Sequence, residues 1–385
     1  MNVSVCRPSE LGAREIATWH SLQRASGLDN PFLSPEFACD VDAVYPSARV
    51  AVVEDGGDVV GFLPFTSGHL RSATGIGGRL ANCQAFVCSP AAELPIGEVV
   101  RGAGISVFEF HALVPPFGAA GDLSTRRVDA LTIDLAGGFD HYLATARRVG
   151  GKFVKEIERK RRRLEREHPG AVRFEFATAD RLPLACLLRW KSAQYRRSGR
   201  PDILSQPRVV ELVERLLSRA DASLSGCVSS LSVDDRLVAV DVSLRSATVF
   251  AGWLTSYDVV MAKWSPGAVA TLELIEAASV AGLRTLDLAT GDETFKQRLA
   301  NSSIELASGW VGGPSVGMVL SRSAHAPNEW AQRYIVSHPP LRRYTRRALQ
   351  HYGALRTHTT GQAPGRPRTA PDGGPAVAAR HPING

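Results

Sequence analysis

Residues 257–297, YDVVMAKWSPGAVATLELIEAASVAGLRTLDLATGDETFKQ, carry the pattern that decides the fold. They read as strand end, loop, capped helix, strand and polar turn. Ser265 suits an N-cap and Pro266 the first helical position, where a missing N–H costs nothing. Gly282 suits the left-handed position just past the last turn. The helix Pro266 to Ala281 thus crosses over between a strand at Thr248 to Leu254 and another at Arg284 to Leu288. Small residues at Ser265, Gly267 and Ala268 would leave backbone N–H groups pointing outward at the helix start. Such a terminus favours a phosphate or diphosphate, through both the amides and the helix dipole. The alternative is an ordinary capped core helix, and the functional reading depends on which of the two holds.

Working outward, the same half opens with helical patterns at Pro183 to Arg197 and Pro207 to Arg219. In the second, Val209, Leu212, Val213, Leu216 and Leu217 share one face. A hairpin follows at Gly226 to Leu244, turning at Asp234-Asp235-Arg236. The first half begins alike, with helices at Ser9 to Ser26 and Pro35 to Tyr45. Its hairpin runs from Ala48 to Phe65 and turns at Asp55-Gly56-Gly57-Asp58. The expected architecture is α/β with mixed sheets: two tandem units, each a mostly antiparallel sheet flanked by helices. Past Phe65 the first unit shows loops and a strand near Ile105 to Phe110, with no counterpart of the Pro266 helix. The expected divisions are an N-terminal unit (1–145), a basic connecting helix (146–170), a C-terminal unit (171–335) and a basic, otherwise disordered tail (336–385).

Composition excludes several classes. The 385 residues are 44% hydrophobic and 22% charged, as in ordinary globular proteins. No uncharged run reaches the ~18 apolar residues of a membrane span. The first residues hold Arg7, Glu10, Arg14 and Glu15 rather than an apolar signal core. Cysteines 6, 39, 83, 88, 186 and 227 are scattered and the histidines show no ligand spacing. Reduced thiols in a cytoplasmic protein and no metal are expected. The net charge of +7 concentrates in Lys152 to Arg166, with eight basic residues around a stripe of Phe153, Ile157 and Leu164. That segment reads as an exposed amphipathic helix or, less blandly, as a surface for nucleic acid or another polyanion. Aromatics are too sparse there for a single-strand stacking platform.

Other motifs fail on context. Gly313-Pro314-Ser315-Val316-Gly317 matches a nucleophile elbow, but the following Met318-Val319-Leu320 reads as strand rather than helix. The glycines at 75–78 and 102–104 lack the strand–helix setting of dinucleotide binding.

The ordered series GKFVKEIERKRRRLE, Arg189-Trp190, YDVVMAKWSPG and LDLATGDETFK resembles the GNAT acyltransferase superfamily over roughly residues 31–310. It is most similar to the two-unit CelD/BcsL-like acetyltransferases, with Fem peptidyltransferases more distant. The resemblance implies acyl-CoA, typically acetyl-CoA, as co-substrate and an amine acceptor linked to polysaccharide or cell-envelope synthesis. It implies a diphosphate held at Lys263, Ser265, Gly267 and Ala268. Pro266 stands where the superfamily carries glycine, which removes one N–H donor.

The chemistry of amine acylation selects the remaining candidates. An alkylammonium has a pKa near 10, so its nucleophilic form costs about 4 kcal/mol at pH 7 unless a base helps. Asp287 and Asp292 at the end of one strand, and Asp258 at the end of another, are candidate bases, with Glu293 beside them. Tyr257 could protonate the departing thiolate; Lys296, Glu293 and Trp253 are candidate substrate contacts. Two other functions stay open: a Fem-like transferase using aminoacyl-tRNA, and a non-catalytic polyanion binder.

Overall fold

The computed structural model describes residues 1–312 except 91, 93, 116–123, 150, 179 and 291–293. The tail from 313 onward, the Gly313 motif, Asp292 and Glu293 therefore lie outside the described residues. The first half holds β1 (Asn2–Cys6), α1 (Ala13–Ala25), α2 (Pro35–Val44), β2 (Ala48–Asp55) and β3 (Asp58–Ser67). It continues with β4 (Ser72–Gly75), β5 (Val87–Cys88), α3 (Ile96–Gly102), β6 (Val107–Leu113) and β7 (Ser124–Asp134). Two helices, α4 (Gly138–Val149) and α5 (Gly151–Glu167), lead into the second half. That half runs β8 (Val172–Thr178), α6 (Leu182–Arg197), α7 (Pro207–Leu217), β9 (Ser225–Val233), β10 (Arg236–Arg245) and β11 (Val249–Tyr257). It ends with α8 (Pro266–Val280), β12 (Thr285–Thr290), α9 (Thr294–Leu299) and β13 (Ser302–Val311).

The two expected sheets are one. Thirteen strands join in the order β1-β2-β3-β4-β6-β13-β7-β12-β11-β10-β9-β8, with β5 on the side of β3. The first half also has the crossover that its sequence hides. The seven-residue α3 carries the chain from β4 to β6, which pair in parallel at Ser72 to Thr74 and Val107 to Glu109. This matches β11 and β12, parallel at Val249 to Ala251 and Thr285 to Asp287, with α8 between them. The expectation of no such helix was wrong because four-residue β4 and the roughly two turns of α3 are too short for a periodic signal.

The halves trade their last strands. β7 leaves the first half to pair with β12, and β13 leaves the second to pair with β6. They then lie antiparallel to one another, Ser302 to Trp310 against Thr132 to Ser124. A division near residue 145 therefore cuts the chain but not the sheet.

Helices cover both faces. α1, α2, α6 and α7 lie on one; the five predicted residues of α7, Val209 to Leu217, are all buried there. On the other face α3 covers the first half, while α4, α5, α8 and α9 cover the second. α5 is thus no free-standing helix: Val154, Ile157 and Leu164 are buried against α4, α8 and α9, with Phe153 only partly buried. Across the halves, Asp40 of α2 is buried and receives the guanidiniums of Arg219 (2.8 Å) and Arg215 (3.4 Å). Pairing keeps that carboxylate from being an uncompensated buried charge.

Because each half completes the other's sheet, a fragment of residues 146–335 should not fold: β12 and β13 would both lose a neighbour. Circular dichroism and amide NMR dispersion of this fragment, alone and co-expressed with residues 1–145, check it; rescue is expected only in the pair.

Candidate active site

β11 and β12 pair only over their first three residues, then part. β11 continues six residues beyond Ala251, while β12 slips register against β7 between Asp287 and Thr290. Two residues at this opening have left-handed backbones: Ala289 with φ 61 and Ser265 with φ 53. Neither is glycine, so each conformation costs of order 1 kcal/mol and is held by its surroundings.

Asp287 stands where the strands separate. Its Oδ2 accepts the Asn30 side-chain amide at 2.8 Å and its Oδ1 the Ala289 N–H at 2.7 Å. It is only 4% exposed. Burial pushes its carboxyl above the ordinary value, against the pull of those two donors and of Lys296. Lys296 acts in the same way on Asp241 of β10, an acid the sequence reading passed over. Asp241 accepts the hydroxyls of Thr255 (2.5 Å) and Ser243, and burial raises it too. Lys191 of α6 donates to the Thr255 carbonyl at 3.0 Å and adds a further pull on Asp241. Two lysines, the buried Asp287 and the half-buried Asp241 thus form one charge-balanced array across the opening. Lys296, expected as a substrate contact, lies within electrostatic reach of both carboxylates.

The start of α8 differs from expectation. Ser265 is the N-cap, but its Oγ does not cap the helix; it accepts Lys160 Nζ of α5 at 2.7 Å. The Ser265 N–H bonds to Ala262, and those of Ala268 and Val269 bond back to the Ser265 carbonyl. Pro266 has none. The expected row of open amides is therefore absent, and Gly267 alone retains a donor without a protein acceptor among the described residues. Tyr257 packs on Gly267, so a Cβ there would lie 3.2 Å from its ring. Positive side chains surround the turn instead: Lys160, Arg163 with its guanidinium 4.8 Å over Trp264, and Lys263 with Nζ 5.0 Å over the same ring.

Two other candidates are committed elsewhere. Asp258 caps the short helix Val259–Trp264 by accepting the Val260 N–H at 3.0 Å, and also receives Arg236. Burial pushes its carboxyl up, but those partners outweigh it and hold it below the ordinary value, a poor base. Trp253 donates Nε1 to the Leu80 carbonyl at 2.8 Å and meets Phe32 edge-on at 5.8 Å, tying the two halves together. Among the described residues no cluster of His, Cys, Asp and Glu could hold a metal.

Residues 151–297 match the family model of an acetyltransferase (GNAT) domain. The matched segment contains α5, the parted strands, α8 and all four charged residues of the array; Asn30, the partner of Asp287, lies in the first half. Among solved structures, a conserved protein of unknown function from Bacteroides thetaiotaomicron VPI-5482 shares the fold: TM-score 0.50, 12% identity, covering 77% of this chain and 97% of that one. Also similar is the C-terminal domain of a putative lysylphosphatidylglycerol synthetase from Agrobacterium fabrum (TM-score 0.48, 14% identity, 80% and 97% covered). A third is a tandem GNAT protein from the clavulanic acid biosynthesis pathway (TM-score 0.45, 11% identity, 82% and 100% covered). No curated protein matches in sequence.

Asp241 and Lys160 are what sequence reasoning missed. An acid at an inward position of the apolar strand LVAVDVSL was a usable signal. Nothing in a run of eight basic residues singles out Lys160.

Lys296→Met tests the array. Both acids have raised folded pKa values, so they bind protons more readily folded than unfolded, and their ionised forms cost stability. Removing Lys296 raises them further. The melting temperature should fall most at pH 8, corresponding to about 1–3 kcal/mol. The deficit should shrink as pH drops through the raised values toward an aspartate's usual 4; a pH-independent deficit would contradict it.

Proposed function

We propose that the protein transfers an acyl group from acyl-CoA, acetyl-CoA in the simplest case, to an amine. The observation that carries this is the parting of β11 and β12 beside the cationic start of α8, inside the segment that matches the GNAT domain. In this reading the thioester enters the opening, and its diphosphate meets Lys160, Lys263 and the Gly267 N–H. Charged side chains then do what amides were expected to do; Lys263 has no carboxylate partner among the described residues. Tyr257, 39% exposed at the end of β11, is placed to supply the departing thiolate with a proton. Amino sugars are the first acceptors to try, because the sequence resemblance runs to envelope-linked enzymes. The reading sets the protein in the cytoplasm, where thiols stay reduced; all six cysteines are unpaired.

A second reading, aminoacyl transfer from tRNA, is favoured by one feature of α5. Its four acids are all spent in ion pairs: Glu156 with Arg159, Glu158 with Arg147, Glu165 with Arg161 and Glu167 with Arg163. Lys152, Lys155, Arg162 and Arg166 remain as an exposed stripe at helical spacing, suited to successive phosphates.

Calorimetry of the whole protein with acetyl-CoA separates the two. Saturable binding is expected, weakened about tenfold by Lys160→Ala and by Lys263→Ala, the loss of one charged contact each. A melting temperature raised by tRNA and unmoved by acetyl-CoA would favour the second reading.

A further inference from the structure

The sheet ends in two edges. At one, β1 offers Asn2 to Cys6 without a charged side chain, so nothing there fixes the register of a further strand. At the other lies β8, which has β9 as its one neighbour among the described residues. The Asp234 N–H bonds to the Ala171 carbonyl at 3.1 Å, in the register that sets Val172 opposite Val233. In an antiparallel ladder the N–H and C=O of one residue point the same way, and the direction alternates along the strand. Ala171, Arg173 and Glu175 therefore turn theirs to β9. Val172 and Phe174 turn theirs outward, with no strand to receive them among the described residues. The side chains of Val172, Phe174 and Phe176 pack on the cluster beneath α8 and remain partly exposed. Those of Arg173 and Glu175 are exposed on the other face. Across β9 they meet Ser232 and Ser230, neither of them charged. Arg173 reaches Asp235 at 3.3 Å, a solvent-exposed pair worth little. Glu175 has no ion-pair partner among the described residues.

We infer that the β8 edge is an interface with a second copy of this chain, paired antiparallel about a two-fold axis through Phe174. The strand VRFEFAT is self-complementary about that residue. Phe174 meets Phe174 of the second copy, and Arg173 of each lies directly opposite Glu175 of the other. One symmetry operation thus makes two ion pairs, as an isologous interface requires. Backbone direction agrees. The outward groups of Phe174 form a hydrogen-bonded pair, so Arg173 and Glu175 fall at non-hydrogen-bonded positions, where facing side chains lie closest. Placing the axis at Arg173 or Glu175 instead would set like charges against each other and turn the wrong backbone groups to the seam. On the α8 side Val172 falls opposite Phe176, so the seam covers the three partly exposed apolar side chains. Ala177, with φ 48, interrupts the strand and limits the regular seam to residues 172–176. So short a seam makes a reversible dimer rather than a permanent one. The inference goes beyond the acyltransferase reading and stands without it.

Sedimentation velocity of the full chain over a range of concentrations tests this. The wild type should show a concentration-dependent dimer with a Kd on the order of 10 µM. Glu175→Arg sets Arg opposite Arg twice, and Arg173→Glu sets Glu opposite Glu twice. Each alone should weaken the dimer about 100-fold. Both side chains are exposed, so the melting temperatures should stay near wild type. A mixture of the two variants restores opposite charges at both positions and should form a heterodimer as tight as wild type. The double variant carrying both changes should dimerise with itself. A wild type that stays monomeric to roughly 500 µM overturns the inference, as it would if another segment of the same chain covered β8. So does a dimer that either single variant leaves unchanged, or a mixture of the two that stays monomeric. Should a single variant fail to fold, amide exchange of the wild type decides. The outward Val172 and Phe174 amides should exchange more slowly as protein concentration rises, and exchange independent of concentration overturns the inference.

Discussion

The antiparallel pairing of β7 with β13 is the constraint on which the molecule depends. Each strand belongs by sequence to one half and by hydrogen bonding to the sheet of the other. An interior strand without a neighbour leaves a row of unpaired N–H and C=O groups, so neither half is complete by itself. The pair also fixes where β12 lies. β12 is held by β7 on one side and parts from β11 on the other after Asp287. The first half then closes that gap from beneath: Asn30 reaches Asp287, and Asn82 donates to the Gly252 carbonyl of β11 at 2.7 Å. The first half is thus part of the wall of the opening.

Electrostatics build the site from parts that look unrelated in the chain. Lys191, Asp241, Lys296 and Asp287 come from α6, β10, α9 and β12, and none has a neighbour in sequence that announces its partner. Their charges balance, which lets two carboxylates sit in a low-dielectric opening without leaving the cluster. At the other end of the gap, lysine and arginine side chains carry the positive charge around the helix start. The dipole still contributes, but with Pro266 in place and the neighbouring amides bonded to Ser265 and Ala262, one N–H is left to aim it.

What the sequence made legible was local. The period of α7, the two hairpins, the proline-started α8 and the acid-bearing β12 all follow from spacing within a dozen residues. Asp287 was found because it interrupts an apolar strand end; Asp241 carries the same signal but lies mid-strand, away from the turn that drew attention. What stayed hidden was non-local or brief: the exchange of β7 and β13, the short α3, and the selection of Lys160 from its basic neighbours. The open-amide helix start failed for a particular reason. Small residues permit a wide turn but do not force one, and the left-handed Ser265 lets the chain fold back onto its own carbonyl.

The exchange has a consequence for how the chain is made. On a ribosome the strands emerge in order, and β6 appears some two hundred residues before β13, its eventual neighbour. Throughout that interval its edge, with Phe108 and Phe110 along it, has no partner of its own to meet. The amino-terminal half must wait for β13 to be translated, and it stays incomplete and exposed to chaperone capture until then.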